Sequence, residues 1–219
     1  MCRLLNLCFA TAIACSLSTF VSAQSSSSSK HTKESSTAGT ANIDSGAVSN
    51  GVYRNKALGL ACRIPAGWVL RTEEMNSEES ANEEKPAPQG APSTGDQHVL
   101  LAAFSRPPEA RGEDVNSSIL IAAESVDAYP GLKEAAQYFG PLTEVAKAQG
   151  FTVDEEPYEY AVGAKKLVRG DFHKDVGTRV MRQSTLAFLS HGYAVSITII
   201  GGTEDEMEEL IDGMSFGRA

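Results

Sequence analysis

The chain has 219 residues, with 19 basic against 28 acidic side chains and a formal charge of −9. Nothing in it resembles a polybasic stripe, which makes nucleic acid and anionic lipid poor partners, since binding to either rests on clustered cationic side chains. Cysteine occurs four times, at Cys2, Cys8, Cys15 and Cys62.

The opening Met1-Cys2-Arg3 leads into an apolar stretch from Leu4 to Val21 and then Val21-Ser22-Ala23 before Gln24. A short positive region, an apolar region and a small-x-small site are the pattern of a cleavable signal peptide over residues 1–23. Ser16, Ser18 and Thr19 interrupt the apolar stretch, which falls short of the roughly 20 apolar residues a membrane-spanning helix needs. The expectation is export, periplasmic or extracellular, after cleavage near Ala23, with no transmembrane segment in the mature chain. The alternative is a lipid anchor at Cys15, because Ala12-Ile13-Ala14-Cys15 loosely resembles the box cleaved before a lipidated cysteine. Cleavage at Ala23 removes only Arg3 among the charged residues, leaving 18 basic against 28 acidic and a charge of −10. It leaves Cys62 as the one remaining cysteine, so no intramolecular disulfide can form and the core must hold by packing.

Residues 24–51 are rich in Ser, Thr, Gly and Ala and are expected to be a disordered leader. Residues 52–219 are expected to form a single domain, long enough to bury one sizeable core. Within it, Glu73 to Gln97 carries Glu73, Glu74, Glu78, Glu79, Glu83 and Glu84 and then Pro86, Pro88, Gly90, Pro92 and Gly95. This reads as a disordered acidic insertion at 73–97 between two strands. An interaction loop or a calcium-attracting strip would be its functional reading, and a solvated loop is the simpler one.

Leu58, Leu60, Cys62 and Ile64 share one parity, the two-residue repeat of a half-buried strand ending at Pro65, which turns the Cys62 thiol inward. Val99 to Phe104 and Ile119 to Ala123 are short apolar runs bounded by turns and read as strands. From Leu132 the spacing becomes helical, and Gly140-Pro141 is expected to break this region into two helical pieces. After Gly150 the strand pattern returns in Phe151–Val153, Tyr158–Val162, Lys165–Phe172, Arg179–Leu189 and Tyr193–Ile200. Short Gly-containing links, including His191-Gly192, imply an antiparallel meander. Thr203-Glu204-Asp205-Glu206 matches a capping box, and Met207, Leu210, Ile211 and Met214 give the helix that follows an apolar stripe for packing on the sheet.

Two stretches of this order carry a family resemblance. One is Tyr53-Arg54-Asn55 with Leu58-Gly59-Leu60 and Ile64-Pro65-Ala66-Gly67-Trp68; the other is Gly192-Tyr193 opening a strand that leads to a terminal amphipathic helix and Ser215-Phe216. Together, from Val52 to Phe216, they resemble the PsbP-like family, the fold shared by an extrinsic photosystem subunit, a Ran-binding import factor and exported bacterial proteins. The resemblance implies an α+β fold, an antiparallel sheet flanked by helices in an α/β/α sandwich. It also implies a binding module more than an enzyme. The matching positions Gly59, Pro65, Gly67 and Trp68 are turn and packing residues, so no ligand set follows from them.

No Gly-rich phosphate loop, G-x-S-x-G elbow, H-E-x-x-H helix or paired C-x-x-C motif is present, and no catalytic residue, metal ligand or cofactor is expected. Metal binding would require His98, His173 or His191 to converge with Asp171 or Asp175, while His31 sits in the leader. Arg169-Gly170-Asp171 spells the tripeptide integrins read, but in a predicted strand it is expected to be structural. The residues singled out as structural or ligand-contacting are Trp68, Pro65, Gly67 and Cys62. The leading expectation is therefore a non-enzymatic module that binds a protein partner in the cell envelope. The alternative is a carrier for a small ligand or metal with a pocket near Trp68 and the histidines, and a hydrolase lacking a known motif ranks third.

Overall fold

In the computed structural model, Leu58, Leu60, Cys62 and Ile64 are all buried, as their shared parity predicts, but the strand itself is shorter, with Leu58 in the turn before it and Ile64 just after it. The structure describes residues 43–83, 97–110 and 114–217, which belong to one unit, Gly39–Ala219. The expectations for the signal peptide, for a lipid anchor at Cys15 and for His31 lie outside the described residues.

Folding begins earlier than expected. Strand β1 (Ala47–Ser49) lies in the segment assigned to the leader and pairs antiparallel with β2 (Val52–Asn55). Asn50 and Gly51 both take positive φ, 51° and 69°. That is what a two-residue hairpin turn matching strand twist demands, and Asn-Gly is the dipeptide best suited to it. Further anchors tie this start down: Ile43 is buried, the Tyr53 hydroxyl donates to the Ser45 carbonyl at 3.0 Å, and the Asn55 amide donates to the Asp44 carbonyl.

β3 (Leu60–Arg63) pairs with β2, and β12 (Met214–Phe216) pairs with β3, completing a four-stranded sheet. The larger sheet contains β4 (Val69–Leu70), β5 (Gln97–Phe104), β6 (Ser118–Ser125), β7 (Thr152–Val153), β8 (Tyr158–Val162), β9 (Lys165–Val176), β10 (Arg179–Ser190) and β11 (Tyr193–Gly201). Its order is β4-β5-β6-β11-β10-β9-β7, and β8 also pairs with β9. The meander expected after Gly150 is thus present, and a second run, β4-β5-β6, joins it through β6 and β11. Every pairing is antiparallel. The described chain is predominantly antiparallel β with three α-helices, α1 (Thr72–Glu83), α2 (Ala135–Ala148) and α3 (Glu204–Asp212), and a 3-10 turn at Val126–Ala128.

α1 corrects the expected structureless insertion at 73–97, whose first half is helical. Glutamate is a good helix former, and Glu73 and Glu74 occupy the first turn, where the helix dipole favours anions. Asn76 then stitches the helix to the sheet: its side-chain oxygen accepts from the Val99 N–H and its amide donates to the Val99 carbonyl, each at 2.9 Å. Residues 84–96 lie outside the described residues.

α2 corrects a second expectation, because it runs unbroken through Pro141. The proline withholds one hydrogen bond from the preceding turn, but Tyr138 and Phe139 before it and Ala146 after it are all buried against the sheet. Burial on both sides offsets that loss, and the helix continues. The capping box of α3 is half formed: Thr203 Oγ1 accepts from the Glu206 N–H at 3.2 Å. The Glu206 carboxylate turns instead to the Gly202 N–H at 2.9 Å and the Ser117 hydroxyl.

Alternation along β10 and β11 divides the core. Leu186, Phe188, Val195, Ile197 and Ile199 join Ile119, Ile121, Leu60, Cys62 and the α3 residues Met207, Leu210 and Ile211. The intervening Ala187 and Ala194 meet Tyr138 and Phe139 of α2. Ala146, Phe151 and Phe172 form a third cluster beside them.

Candidate functional site

The middle of β9 is where the sheet's two faces acquire different characters, and the three residues responsible are Arg169, Gly170 and Asp171. On one face the Arg169 guanidinium donates through Nε to both Asp171 oxygens at 2.9 and 3.0 Å and pairs through Nη1 with Glu208 of α3 at 2.7 Å. The Asp171 carboxylate also accepts from the Tyr158 hydroxyl at 2.8 Å and from the Ser184 hydroxyl. The Tyr160 ring stacks on the guanidinium at 5.0 Å. Burial by itself would lower the Arg169 pKa, but the bonds to Glu208 and Asp171 outweigh it and raise it above the ordinary value. Burial, reinforced by Asp171, raises the Tyr158 hydroxyl. The tripeptide is therefore structural in its surroundings: its charged members are spent on each other and on their neighbours.

On the other face Gly170 makes room for α2. A Cβ placed there would lie 2.5 Å from the Phe139 ring, far inside contact distance, so only glycine lets α2 sit this close to β9. That seat leaves an open groove of about 770 Å³ between α2 and the β7 end of the sheet. One wall is a helical stripe, Ala136, Gly140, Thr143 and Lys147, spaced three and four residues apart so that all four face the same way. Thr152, Val153, Glu156 and Pro157 form the other wall, and the buried rings of Phe139 and Phe151 also line it. Lys147 pairs with Glu144 at 3.3 Å. Lys174 sits 5.8 Å above the Phe151 ring and donates to the Gln149 carbonyl at 2.7 Å, bracing the link from α2 to β7.

A second enclosed polar group lies nearer β6. The buried Glu124 accepts from the Tyr138 hydroxyl at 2.6 Å and from the Tyr129 hydroxyl. Burial, reinforced by Glu124, raises both phenols above their ordinary value. The two rings meet edge to face at 5.3 Å.

The residues singled out in the sequence lie elsewhere. Cys62 is fully buried on β3, and burial pushes its thiol up to about 12. Pro65 and Gly67 form a tight turn closed by the Trp68 N–H donating to the Pro65 carbonyl at 3.3 Å, with Gly67 at φ +86°. Trp68 is half-buried and packs on the main core. The histidines do not converge: His98 bonds Ser45 at 2.9 Å, His173 pairs with Asp154, and His191 bonds Ser190 at 2.8 Å. Among the described residues no group of three or more His, Cys, Asp or Glu could hold a metal ion. Asp171 is held inside the Arg169 network, so the meeting of histidines with Asp171 that metal binding would require does not occur. The groove was missed because its walls belong to a helix and a strand of different periodicity, and only their seating on the shared sheet opens a gap between them. The signal that could have found it is Gly170, a lone glycine inside a strand pattern, which often marks the close approach of another element.

No family model matches the chain, and no curated protein matches it. Among solved structures it is similar to LpqN of Mycobacterium tuberculosis, a protein involved in cell envelope biogenesis. The identity there is 12%, over 73% of this chain and 83% of that one, with a TM-score of 0.35. A Pseudomonas aeruginosa protein of unknown function, PA94, matches at 14% identity over 56% of this chain and 78% of that one, with a TM-score of 0.34. A Bacteroides thetaiotaomicron structure matches at 10% identity over 73% of this chain and 45% of that one, with a TM-score of 0.36. Likenesses of this size define neither family nor function. Among the described residues no helix is long and apolar enough to cross a membrane.

Proposed function

We propose that this chain is an exported, non-enzymatic module of the cell envelope that holds a protein partner in the groove between α2 and β7. The observation that carries this reading is a contrast in availability. The acids, hydroxyls and guanidinium that could do chemistry are bonded to one another within the sheet and α3, whereas the groove is open and lined mainly by small, apolar and aromatic side chains. A PsbP-like layered architecture belongs to the same proposal. Its support is the seating of α2 against one set of alternating β10 and β11 residues and of α3, with the small sheet, against the other.

A photo-crosslinking side chain at Thr143, inside the groove, tests the reading in envelope preparations, with the exposed Asp205 of α3 as the control position. The expected result is one discrete adduct from Thr143 that disappears when Gly140→Arg fills the groove. Equal labelling from both positions overturns it. Intact mass of the exported protein separates cleavage after Ala23 from lipidation at Cys15. The groove volume also lies in the range of about 300–1,000 Å³ usual for small ligands. A ligand carrier is thus the second reading, and it requires a rise in unfolding temperature with the ligand that the Gly140→Arg variant lacks.

A further inference from the structure

β7 closes the sheet at the groove, and its main chain is half used. The Asp154 N–H donates to the Asp171 carbonyl at 3.0 Å, and Thr152 and Val153 stand in register with His173 and Phe172. In an antiparallel ladder successive residues direct their N–H and C=O alternately toward the partner strand and away from it. With Asp154 turned toward β9, Val153 turns its own N–H and C=O outward, to the open edge. Alongside runs the α2 stripe, and a Cβ at Gly140 would meet nothing within 4 Å, so the space beside that edge is clear.

We infer that the groove takes an extended segment of its partner by strand addition, the partner's main chain pairing with Val153 while alternate apolar side chains rest on Phe139 and Phe151. An unpaired sheet edge offers this kind of pairing, in which the main chain supplies affinity and pockets for every second side chain supply selectivity. The charge of the segment follows from the lining. Glu144 and Lys147 compensate each other, which leaves Glu156 as the unbalanced charge of the walls, with the exposed Glu155 beside it, in a chain of net charge −9. The segment therefore carries Lys or Arg among its apolar residues, and its association weakens with salt.

This inference rests on the groove being the binding site, and the test keeps the two apart. Random eight-residue peptides displayed on phage are panned on the intact protein, and survivors are compared with binding to Gly140→Arg. Enriched peptides are expected to alternate apolar residues with Lys or Arg and to lose at least tenfold in affinity on the blocked variant. The best peptide is then made N-methylated on each set of alternate residues. Methylation of the set that faces Val153 should weaken binding at least tenfold, methylation of the other set less than threefold, and the Val153 amide should exchange more slowly when the unmodified peptide is bound. Peptides that are lost on Gly140→Arg but indifferent to which set is methylated overturn strand addition and leave the groove standing. Peptides that bind Gly140→Arg equally well, or no enrichment at all, overturn both. Enrichment of acidic peptides overturns the charge assignment.

Discussion

The two faces of β9 offer a comparison within three residues. Arg169 and Asp171 point into a shared network: the guanidinium bonds Asp171 and Glu208, the Asp171 carboxylate also accepts from Tyr158 and Ser184, and α3 reaches down through Glu208 to complete it. Gly170 points the other way and contributes only the absence of a side chain, which lets Phe139 descend and a groove open beside α2. Closed polar networks hold a fold in register, and functional surfaces form where packing stops. The same tripeptide does the first with its charges and permits the second with its hydrogen.

Asp171→Ala breaks the closed face and should have the largest effect. It leaves the Tyr158 and Ser184 hydroxyls without their acceptor, and a guanidinium of 9% side-chain exposure with Glu208 as its remaining carboxylate. Loss of one partner of a buried pair costs about 3–5 kcal/mol where the other charge is left alone, and the lower end is expected because Arg169 keeps Glu208 and the Asp171 side chain keeps 18% exposure. Urea unfolding measures it, and Asp171→Asn, which keeps an acceptor, should recover part of the loss. If Asp171→Ala lies within about 0.5 kcal/mol of the parent, in the range of an ordinary surface substitution, the network does not hold β8, β9 and α3 together.

Gly170→Ala breaks the other face. The added methyl must displace Phe139, and overpacking of this kind costs about 1–3 kcal/mol. The effect should be local: amide exchange rises along α2 and β7 while β6 and β11 stay protected. Uniform loss of protection would mean that Gly170 supports the whole sheet instead of the seat of one helix.

A pH series sharpens the comparison for the main core. Folding raises the Cys62 thiol from 9.0 to about 12 and the Tyr53 hydroxyl from 10.0 to about 12, in both cases chiefly through burial. The unfolded chain then loses each proton first. Stability is full below pH 9 and falls as pH climbs toward 12, by about 1.4 kcal/mol per pH unit for each group being titrated. Between pH 9 and 10 Cys62 is the shifted group responsible, so Cys62→Ala should flatten the urea midpoint across that interval, and Tyr53→Phe should act only above it. A slope between pH 9 and 10 that survives Cys62→Ala assigns the loss to other groups.

The smallest expected effect is a gain. Gly140 sits in the interior of α2, where the roughly 1 kcal/mol of helix propensity that Ala gains over Gly is opposed by crowding of a new Cβ against the Pro141 ring, so Gly140→Ala should stabilise by less than about 0.5 kcal/mol. It should also leave the groove able to bind, whereas Gly140→Arg blocks it.

Legibility in the sequence followed range. The parity of Leu58, Leu60, Cys62 and Ile64, the helical stripe of Met207, Leu210 and Ile211 and the order of strands after Gly150 are local periodicities, and each stands in the structure. β1 had a local signal too, the turn dipeptide Asn50-Gly51, but the composition of residues 24–51 is that of a leader. α1 was hidden because a glutamate-rich run suits both a disordered loop and a helix, and the choice was made by Asn76 bonding to Val99 of β5. Pro141 misled for the same reason: a local rule against helix was overruled by burial of Tyr138, Phe139 and Ala146.

By itself the sequence determined the alternations and turns that make this an antiparallel β protein, the absence of the common catalytic motifs and the inward thiol of Cys62. These depend on residues within a few positions of one another, where backbone geometry leaves few choices. The tertiary structure alone decided that Arg169 and Asp171 close a network with α3, that Gly170 admits α2, and that Val153 stands on an open edge beside a groove. Each of those is a contact or a gap between distant segments, set by how helices and sheet share one core, and no periodicity along the chain encodes it.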